Sequence, residues 1–290
     1  MNAPDRPALL TPPRIRALLD AHGLASNRWL GQHWLADPNT ARKVARVGGA
    51  GPGQTVLEVG PGLGSLTLAL RETGARVVAV ELDAKLLPVL RDVLGDDLDG
   101  PEGGVRVEVA DAMKADLAAL APEATALIAN LPYSIAAPLI LRVLADVPTI
   151  ASITGMVQRE VGERLVAAPG SPAYGGVSVK VAALADAEVV APVSRRVFMP
   201  EPRVDSVLVR AVRRQHPAVA GVGYRALARV VDAAFAQRRK TLRNSLQGLG
   251  VGAERVEAAC RTAGVDPGTR AERLDVDAFA ALTAALGPPS

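Results

Sequence analysis

The stretch from Thr55 to Asp83 limits what this chain can fold into more than any other. It opens with a short apolar run, Thr55-Val56-Leu57-Glu58-Val59, whose length and β-branched content suit a buried parallel strand. A turn through Gly60-Pro61-Gly62-Leu63-Gly64 leads into Ser65 to Leu70, which reads as a helix with Ser65 or Thr67 near its start. A second apolar run, Arg76 to Val80, ends in Glu81. Strand, glycine loop, helix, strand and acid make a βαβ unit suited to a nucleoside. Glycines permit positive φ and close approach of a ligand, and the helix N-terminus offers unpaired N–H groups. Glu81 can accept hydrogen bonds from both ribose hydroxyls, although a solvated strand end is its other reading. The spacing is G-x-G-x-G, which differs from the G-x-G-x-x-G of dinucleotide folds.

Composition narrows the class. The 290 residues allow one large domain, or one of about 200 residues plus a smaller one. No apolar run approaches the roughly 18 residues of a membrane span, and the N-terminus lacks the apolar core of a secretion signal. A cytoplasmic protein with no membrane partner is therefore expected. The single cysteine, Cys260, excludes an internal disulfide, and three scattered histidines form no ligand cluster, so no metal is expected. The net charge of +3 is unevenly spread. Residues 1–50 carry +4, 51–150 carry −7, and 151–215 and 216–290 carry +3 each. An acidic ligand region between basic flanks suits a polyanion held at the flanks, and equally suits ordinary surface ion pairing.

Asp37-Pro38 opens a helix running to about Val47, with Asp37 as N-cap. The loop before it, Asn27 to Asp37, holds both tryptophans, Trp29 and Trp34, which read equally as packing residues or as one wall of a ligand pocket. A third strand, Val105 to Val109, delivers Asp111 to the ligand edge of the sheet. There it can accept from an adenine amino group or cap the following turn. A fourth strand, Ala126 to Ala129, delivers Asn130-Leu131-Pro132-Tyr133. This tetrapeptide suits methylation of an aromatic exocyclic amine, whose lone pair is delocalised into its ring. Two acceptors facing the two N–H bonds favour a tetrahedral nitrogen with a localised lone pair. The Asn130 side-chain oxygen supplies one acceptor and the Leu131 carbonyl, held by rigid Pro132, the other. Tyr133 offers a face on which an extruded base can stack. No general base is required, and catalysis is positioning plus electrostatics.

Further strands are expected at 152–157, 187–190 and 207–212, making seven with the others. The loop from Ser194 to Ser206 is basic and Pro-punctuated, with Arg195, Arg196 and Arg203 as RNA-contact candidates. Phe198 within it reads as a second stacking face or as a packing residue. A linker over Gln215 to Gly223 precedes a helical region. There Val231, Phe235, Leu242 and Leu246 share one helix face, with Arg239 and Arg243 one turn apart beside it. Arg238, Arg239, Lys240 and Arg243 are candidate phosphate contacts. The expected division is 1–215, an α/β domain with an N-terminal helical extension, and 216–290, a helical domain that binds RNA.

With these motifs assembled, the chain resembles the KsgA-type ribosomal RNA adenine N6-dimethyltransferases over about Leu30 to Leu246. The markers are LGQHWL (30–35), EVGPGLGSLT (58–67), VELD (80–83), DAM (111–113), NLPY (130–133), VFMPEPRVDS (197–206) and FAQRRKTLRNSL (235–246). The resemblance implies a class I, Rossmann-like, seven-stranded methyltransferase sheet with a small all-helical C-terminal domain. It implies S-adenosylmethionine as donor and dimethylation of two adjacent adenosines in the 3′-terminal hairpin of 16S rRNA, within the immature 30S subunit. It assigns His33, Leu35, Gly60, Glu81, Asp111 and Asn130 to the cofactor beside the loop glycine Gly62, and Tyr133 and Phe198 to the two faces of the base. A monomer acting on RNA, with no DNA partner, is expected. One departure stands out: the family usually reads F-G-Q-N-F-L at 30–35, so His33 replaces an asparagine beside the methionyl part of the cofactor. Imidazole still donates a hydrogen bond.

Two other functions compete. A macrolide-resistance-type methyltransferase of 23S rRNA shares the glycine loop and the N-[LI]-P-[YF] site, but the 197–206 and 235–246 motifs resemble the small-subunit enzyme more. A non-catalytic RNA-binding assembly factor has no need for amine-acceptor geometry at Asn130-Leu131-Pro132-Tyr133.

Overall fold

The apolar runs assemble into a seven-stranded sheet in the computed structural model, which describes residues 8–24, 33–99, 104–215, 221–237 and 239–287. The chain opens with α1 (Pro12–Ala21), β1 (Trp34–Leu35) and α2 (Pro38–Val47). The ligand-binding core follows as β2 (Thr55–Val59), α3 (Ser65–Glu72), β3 (Arg76–Glu81), α4 (Leu87–Leu94), β4 (Val105–Val109), α5 (Leu117–Leu120) and β5 (Ala126–Asn130). It continues through α6 (Ala136–Asp146), β6 (Ser152–Gln158), α7 (Arg159–Leu165), α8 (Gly176–Leu184), β7 (Ala185–Val193), β8 (Phe198–Met199) and β9 (Ser206–Arg213). Helices α9 (Tyr224–Phe235), α10 (Leu242–Ser245), α11 (Ala253–Thr262) and α12 (Val276–Leu286) end it.

The strand order is β4-β3-β2-β5-β6-β9-β7. From β4 to β6 every neighbouring pair is parallel, and β9 runs antiparallel to β6. β2 lies inside the sheet, between β3 and β5, with all five residues buried, as its largely apolar run requires. The chain winds outward from β2 through β3 to β4, then returns to β5 on the other side of β2. This reversal opens a crevice beyond the carboxyl ends of β2 and β5, where open α/β sheets bind ligands. The pairings Val59↔Val80 and Asn130↔Met156 bring Gly60, Glu81 and Asn130 to that one edge. A two-stranded ladder, β1 with β8, pairs Trp34 with Met199 and Leu35 with Phe198. No strand was expected at either place, because two residues are too few to show a period.

The chain divides into two compact units, 1–162 with 188–212, and 163–187 with 213–290. This differs from the contiguous division at 215 in the segment 163–187. In the second unit the Tyr174 hydroxyl donates to the Leu274 carbonyl at 2.7 Å, and Val179 and Ala183 of α8 are buried with Leu227 and Val231 of α9. Gly176 lies so close to α9 that an added Cβ would sit 3.3 Å from Val231.

The single helix expected through Val231, Phe235, Leu242 and Leu246 is two helices. α9 ends at Phe235, and α10 starts after the extended Thr241. The Leu242 and Arg243 amides donate to the Thr269 and Pro267 carbonyls at 2.9 and 3.0 Å, so the start of α10 is set by a distant segment. Arg239 and Arg243 therefore do not lie one turn apart on one helix. Among the described residues no helix is long and apolar enough to cross a membrane.

Candidate active site

The glycine loop is built by its backbone. Gly60, Gly62 and Gly64 have φ of +72°, +59° and +89°. Gly64, in the left-handed region, holds the N-cap position of α3 without a side-chain cap. Neither Ser65 nor Thr67 caps the helix as expected: the Ser65 hydroxyl is buried without a partner among the described residues, and Thr67 donates to Glu58 Oε2 at 2.7 Å. A Cβ on Gly62 would stand 3.0 Å from the Trp34 ring, so the loop lies directly against β1.

Around this loop is a cavity of about 290 Å³. His33, Trp34, Leu35, Gly60, Gly62, Glu81, Asp111, Asn130, Leu131, Pro132 and Tyr133 all line it, so every cofactor candidate and the whole tetrapeptide meet there. Glu81 is 6% exposed, and its carboxylate accepts from the Gly62 amide at 3.1 Å and the Asp83 amide at 2.9 Å. Burial pushes its pKa up, and the backbone donors of Asp83, Gly62 and Leu82 oppose that shift. Asp111 Oδ1 accepts from the Met113 amide at 2.9 Å, so the carboxylate both caps the following turn and faces the cavity. Leu35 is buried on the cavity wall.

Asn130 ends β5 with its side-chain amide donating to the His33 carbonyl at 3.1 Å. A carbonyl only accepts, so this bond fixes which end of the amide is NH2 and leaves Oδ1 with no partner among the described residues. Leu131 is buried, and its side chain sits over Gly155 of β6, where a Cβ would come within 3.0 Å. The Tyr133 hydroxyl shares a 2.9 Å hydrogen bond with Ser206, and burial raises the phenol pKa. His33 stacks on Tyr133 with ring centroids 5.6 Å apart and 30° between planes. Its Nδ1 lies 2.8 Å from the Pro200 carbonyl and must donate to it, which ties the 198–203 loop to the cavity.

Phe198 is placed differently from the stacking role. It is 4% exposed, packed in the core with Trp34 and Leu35, and absent from the cavity wall. Its place in β8 explains this: pairing with β1 turns the ring into the core. The base is thus not met by a free Phe198 face in this arrangement. Arg195, Arg196 and Arg203 are exposed on their loop, with Arg195 paired to Glu201 at 2.8 Å. In the second unit Arg239 and Lys240 are exposed, Arg243 pairs with Glu257, and Arg238 lies outside the described residues.

Three further residues contribute to the site without having been singled out for a role there. Glu58 of β2 is 1% exposed, lines the cavity, and burial pushes its pKa up to about 8. Ser206 and Ser65 complete the set. A glutamate inside an otherwise apolar strand was a visible signal for Glu58. The serines stood inside the 58–67 and 197–206 motifs, but the Ser206 contact with Tyr133 is made across the fold and shows in no local pattern. Trp34 proves to be both core residue and cavity wall.

The residues fit a polar nucleoside ligand. Glu81 is a buried carboxylate on the cavity wall, Asp111 stands past the end of β4 on the same wall, and the glycine loop lies between them and β1. The family model for ribosomal RNA adenine dimethylase matches residues 23–286. The chain belongs to the ribosomal RNA adenine dimethylase family. It is 40% identical over 290 residues to ribosomal RNA small subunit methyltransferase A of Geobacillus kaustophilus, covering 97% of each chain. To the protein of that name from Cutibacterium acnes it is 44% identical over 282 residues, covering 96% of this chain and 94% of the other. Among solved structures, the 23S rRNA methyltransferase ErmE superposes with TM-score 0.65 at 28% identity over 87% of this chain and 99% of its own. A dimethyladenosine transferase from Plasmodium falciparum superposes with TM-score 0.70 at 23% identity, over 86% and 96%, and shares the fold.

Proposed function

We propose that this dimethylase-family protein methylates the N6 amine of adenosine in ribosomal RNA, twice on each of two adjacent adenosines in the 3′-terminal hairpin of 16S rRNA within the immature 30S subunit. The observation that carries this reading is the orientation of Asn130, whose NH2 is held by the His33 carbonyl so that Oδ1 remains an acceptor on the cavity. S-adenosylmethionine, held by Glu81, Asp111, Leu35 and the Gly60–Gly62 backbone, supplies an electrophilic methyl group on a sulfonium. Asn130 Oδ1 and the Leu131 carbonyl accept from the two N–H bonds of the target amine and localise its lone pair. After the first transfer one N–H remains, and one acceptor suffices to orient it for the second. Tyr133, held by Ser206 and backed by His33, gives the base its stacking face. The proton leaves a positively charged nitrogen without a tuned base, so the chain's task is positioning.

The 40–44% identity to small-subunit methyltransferases supports the 16S target, against 28% to the 23S enzyme. In the same reading Arg195, Arg196, Arg203, Arg239, Lys240 and Arg243 grip phosphates, the helical region from 216 serves RNA binding, and the protein works as a cytoplasmic monomer. The test is methyl transfer from radiolabelled S-adenosylmethionine to under-methylated 30S subunits, free 16S rRNA and free 23S rRNA. Label on 30S subunits as N6,N6-dimethyladenosine is the expected result. Label confined to 23S rRNA would move the protein to the resistance-type branch, and cofactor binding without transfer would make it a non-catalytic factor.

A further inference from the structure

The segment from Ala110 to Asp116, between β4 and α5, forms neither strand nor helix, yet it supplies Ala110, Asp111, Ala112 and Met113 to the cavity wall. It folds around Asp111. The Asp111 carbonyl accepts from the Lys114 and Ala115 amides at 2.9 and 2.8 Å, and its Oδ1 accepts from the Met113 amide at 2.9 Å. The other carboxylate oxygen, Oδ2, lies 3.5 Å from the exposed Lys114 ammonium, a pairing that holds little in water. At the start of the segment the Ala110 amide donates to the Glu81 carbonyl at 2.9 Å, which ties that end to the sheet. The bonds centred on Asp111 shape the turn but do not orient it over the cavity, because all of them lie within five residues.

A distant side chain supplies that hold. Arg142 of α6 donates from Nη1 to the Ala112 carbonyl and from Nη2 to the Ala115 carbonyl, the second at 2.6 Å. The two acceptors bracket the turn. A guanidinium is a rigid planar fork, so bonds from both of its ends fix the angle of the turn as well as its distance, which the point charge of a lysine does not do. Its support is firm: Ala136, Leu139, Ile140, Val143 and Leu144 bury one side of α6, and the helix begins three residues after Tyr133. Arg142 itself lies off the cavity wall, so its guanidinium reaches a ligand only through the turn that it grips.

We propose that Arg142 is a positioning residue for the nucleoside ligand: by clamping the Ala112 and Ala115 carbonyls it aims the Asp111 carboxylate, and so sets the preference for a base that carries an exocyclic amine. The proposal rests on the S-adenosylmethionine reading above, in which Asp111 accepts from the adenine amino group. A carboxylate that reads one amine must be held to within about 0.5 Å of its productive place, and an irregular segment with only local bonds does not supply that. The clamp also joins the two halves of the site, because the helix that carries Arg142 is the one that follows Asn130-Leu131-Pro132-Tyr133. Ribose, met by Glu81 at the end of β3, does not depend on it.

Calorimetric titration with two probes tests it: S-adenosylhomocysteine, and its 6-deamino analogue, in which purine replaces adenine and only the amine is lost. The wild-type protein should prefer the first. Arg142→Met, which keeps the apolar stem and removes every donor, should weaken S-adenosylhomocysteine about tenfold, equivalent to about 1.4 kcal/mol, and leave the deamino probe within about twofold. In an Asp111→Ala background the same change should move S-adenosylhomocysteine by less than about twofold, because Arg142 acts through the carboxylate already removed. Arg142→Lys, with the charge but not the fork, should fall between the wild type and Arg142→Met, and full discrimination in it would overturn the two-carbonyl clamp. Unchanged binding of the deamino probe itself reports a folded site. Equal weakening of both probes would reduce Arg142 to a structural residue and overturn the proposal, as would no weakening of either. A wild-type protein that binds both probes equally would overturn the amine preference while leaving the cofactor reading intact; one that binds neither would overturn the cofactor reading and the positioning role with it.

Discussion

The two ends of the Asn130 amide are told apart by one neighbour, the His33 carbonyl. Replacing Asn130 with alanine removes the acceptor that the proposed mechanism sets against the target amine. Asn130→Ala should lower the transfer rate by about a hundredfold or more, with binding of S-adenosylhomocysteine changed far less; single-turnover kinetics beside calorimetry would separate the two. Glu58 makes a different prediction. Its carboxyl titrates near 8 in the folded chain against a usual 4.5, because burial opposes the charge. Between those values the unfolded chain releases the proton and the folded chain keeps it, so stability falls as pH rises through the window, by at most about 1.4 kcal/mol per pH unit. Glu58→Gln should remove that slope, and urea denaturation of both proteins at pH 5, 6.5 and 8 would show it. A wild-type curve no steeper than the variant's would mean that the carboxyl is ionised at neutral pH. At this scale the sequence was readable wherever chemistry sits in the side chain itself, as with Glu81, Asp111 and Asn130. It was not settled for Phe198, whose lone aromatic ring more often packs than stacks, until β8 pairs with β1 and turns it inward.

Elements were legible where one segment suffices to define them. Thr55–Val59 is a short apolar run interrupted only by Glu58 and forms a strand of those five residues. Asp37 caps α2 by accepting from the Thr40 amide at 2.6 Å, as Asp-Pro before a helical pattern suggests. Asp37→Ala should cost about 0.5–2 kcal/mol, seen as a lower melting temperature. Legibility failed where a partner lies far along the chain. The period through Val231, Phe235, Leu242 and Leu246 survives the break between α9 and α10, so pattern alone cannot reveal it. The Pro267 and Thr269 carbonyls that receive the first amides of α10 create the break. Gly62 joins both kinds of evidence, since its φ of +59° is a backbone demand and its contact with Trp34 is tertiary. Gly62→Ala carries a left-handed cost of about 1–2 kcal/mol and presses a methyl against the indole. S-adenosylhomocysteine affinity and melting temperature should fall together, whereas Asp37→Ala should lower only the second.

Across the whole molecule, charge is where composition speaks most clearly. The acidic 51–150 region surrounds a cavity with three carboxylates, and the exposed arginines and lysine lie in the basic segments on its C-terminal side. If Arg239 and Lys240 grip phosphates, changing both to glutamine should reduce the slope of log affinity against log salt by about 0.7–0.9 for each phosphate no longer neutralised, measured on 30S subunits. An unchanged slope would leave them as solvated surface. Phe279, fully buried in the second unit beside Phe235, tests that unit's own core: Phe279→Ala should cost about 3–5 kcal/mol.

The sequence by itself determined the βαβ core, the acids at its strand ends and the tetrapeptide after β5, because local pattern and side-chain chemistry act within a few residues of one another. It also determined the family, whose motifs run through most of the chain. Only the tertiary structure decided that residues 163–187 pack with the C-terminal helices, that α9 stops at Phe235, that Phe198 is core, and that Trp34 is both core and cavity wall. Each of those outcomes depends on hydrogen bonds or packing between segments tens to more than a hundred residues apart, which no local period records.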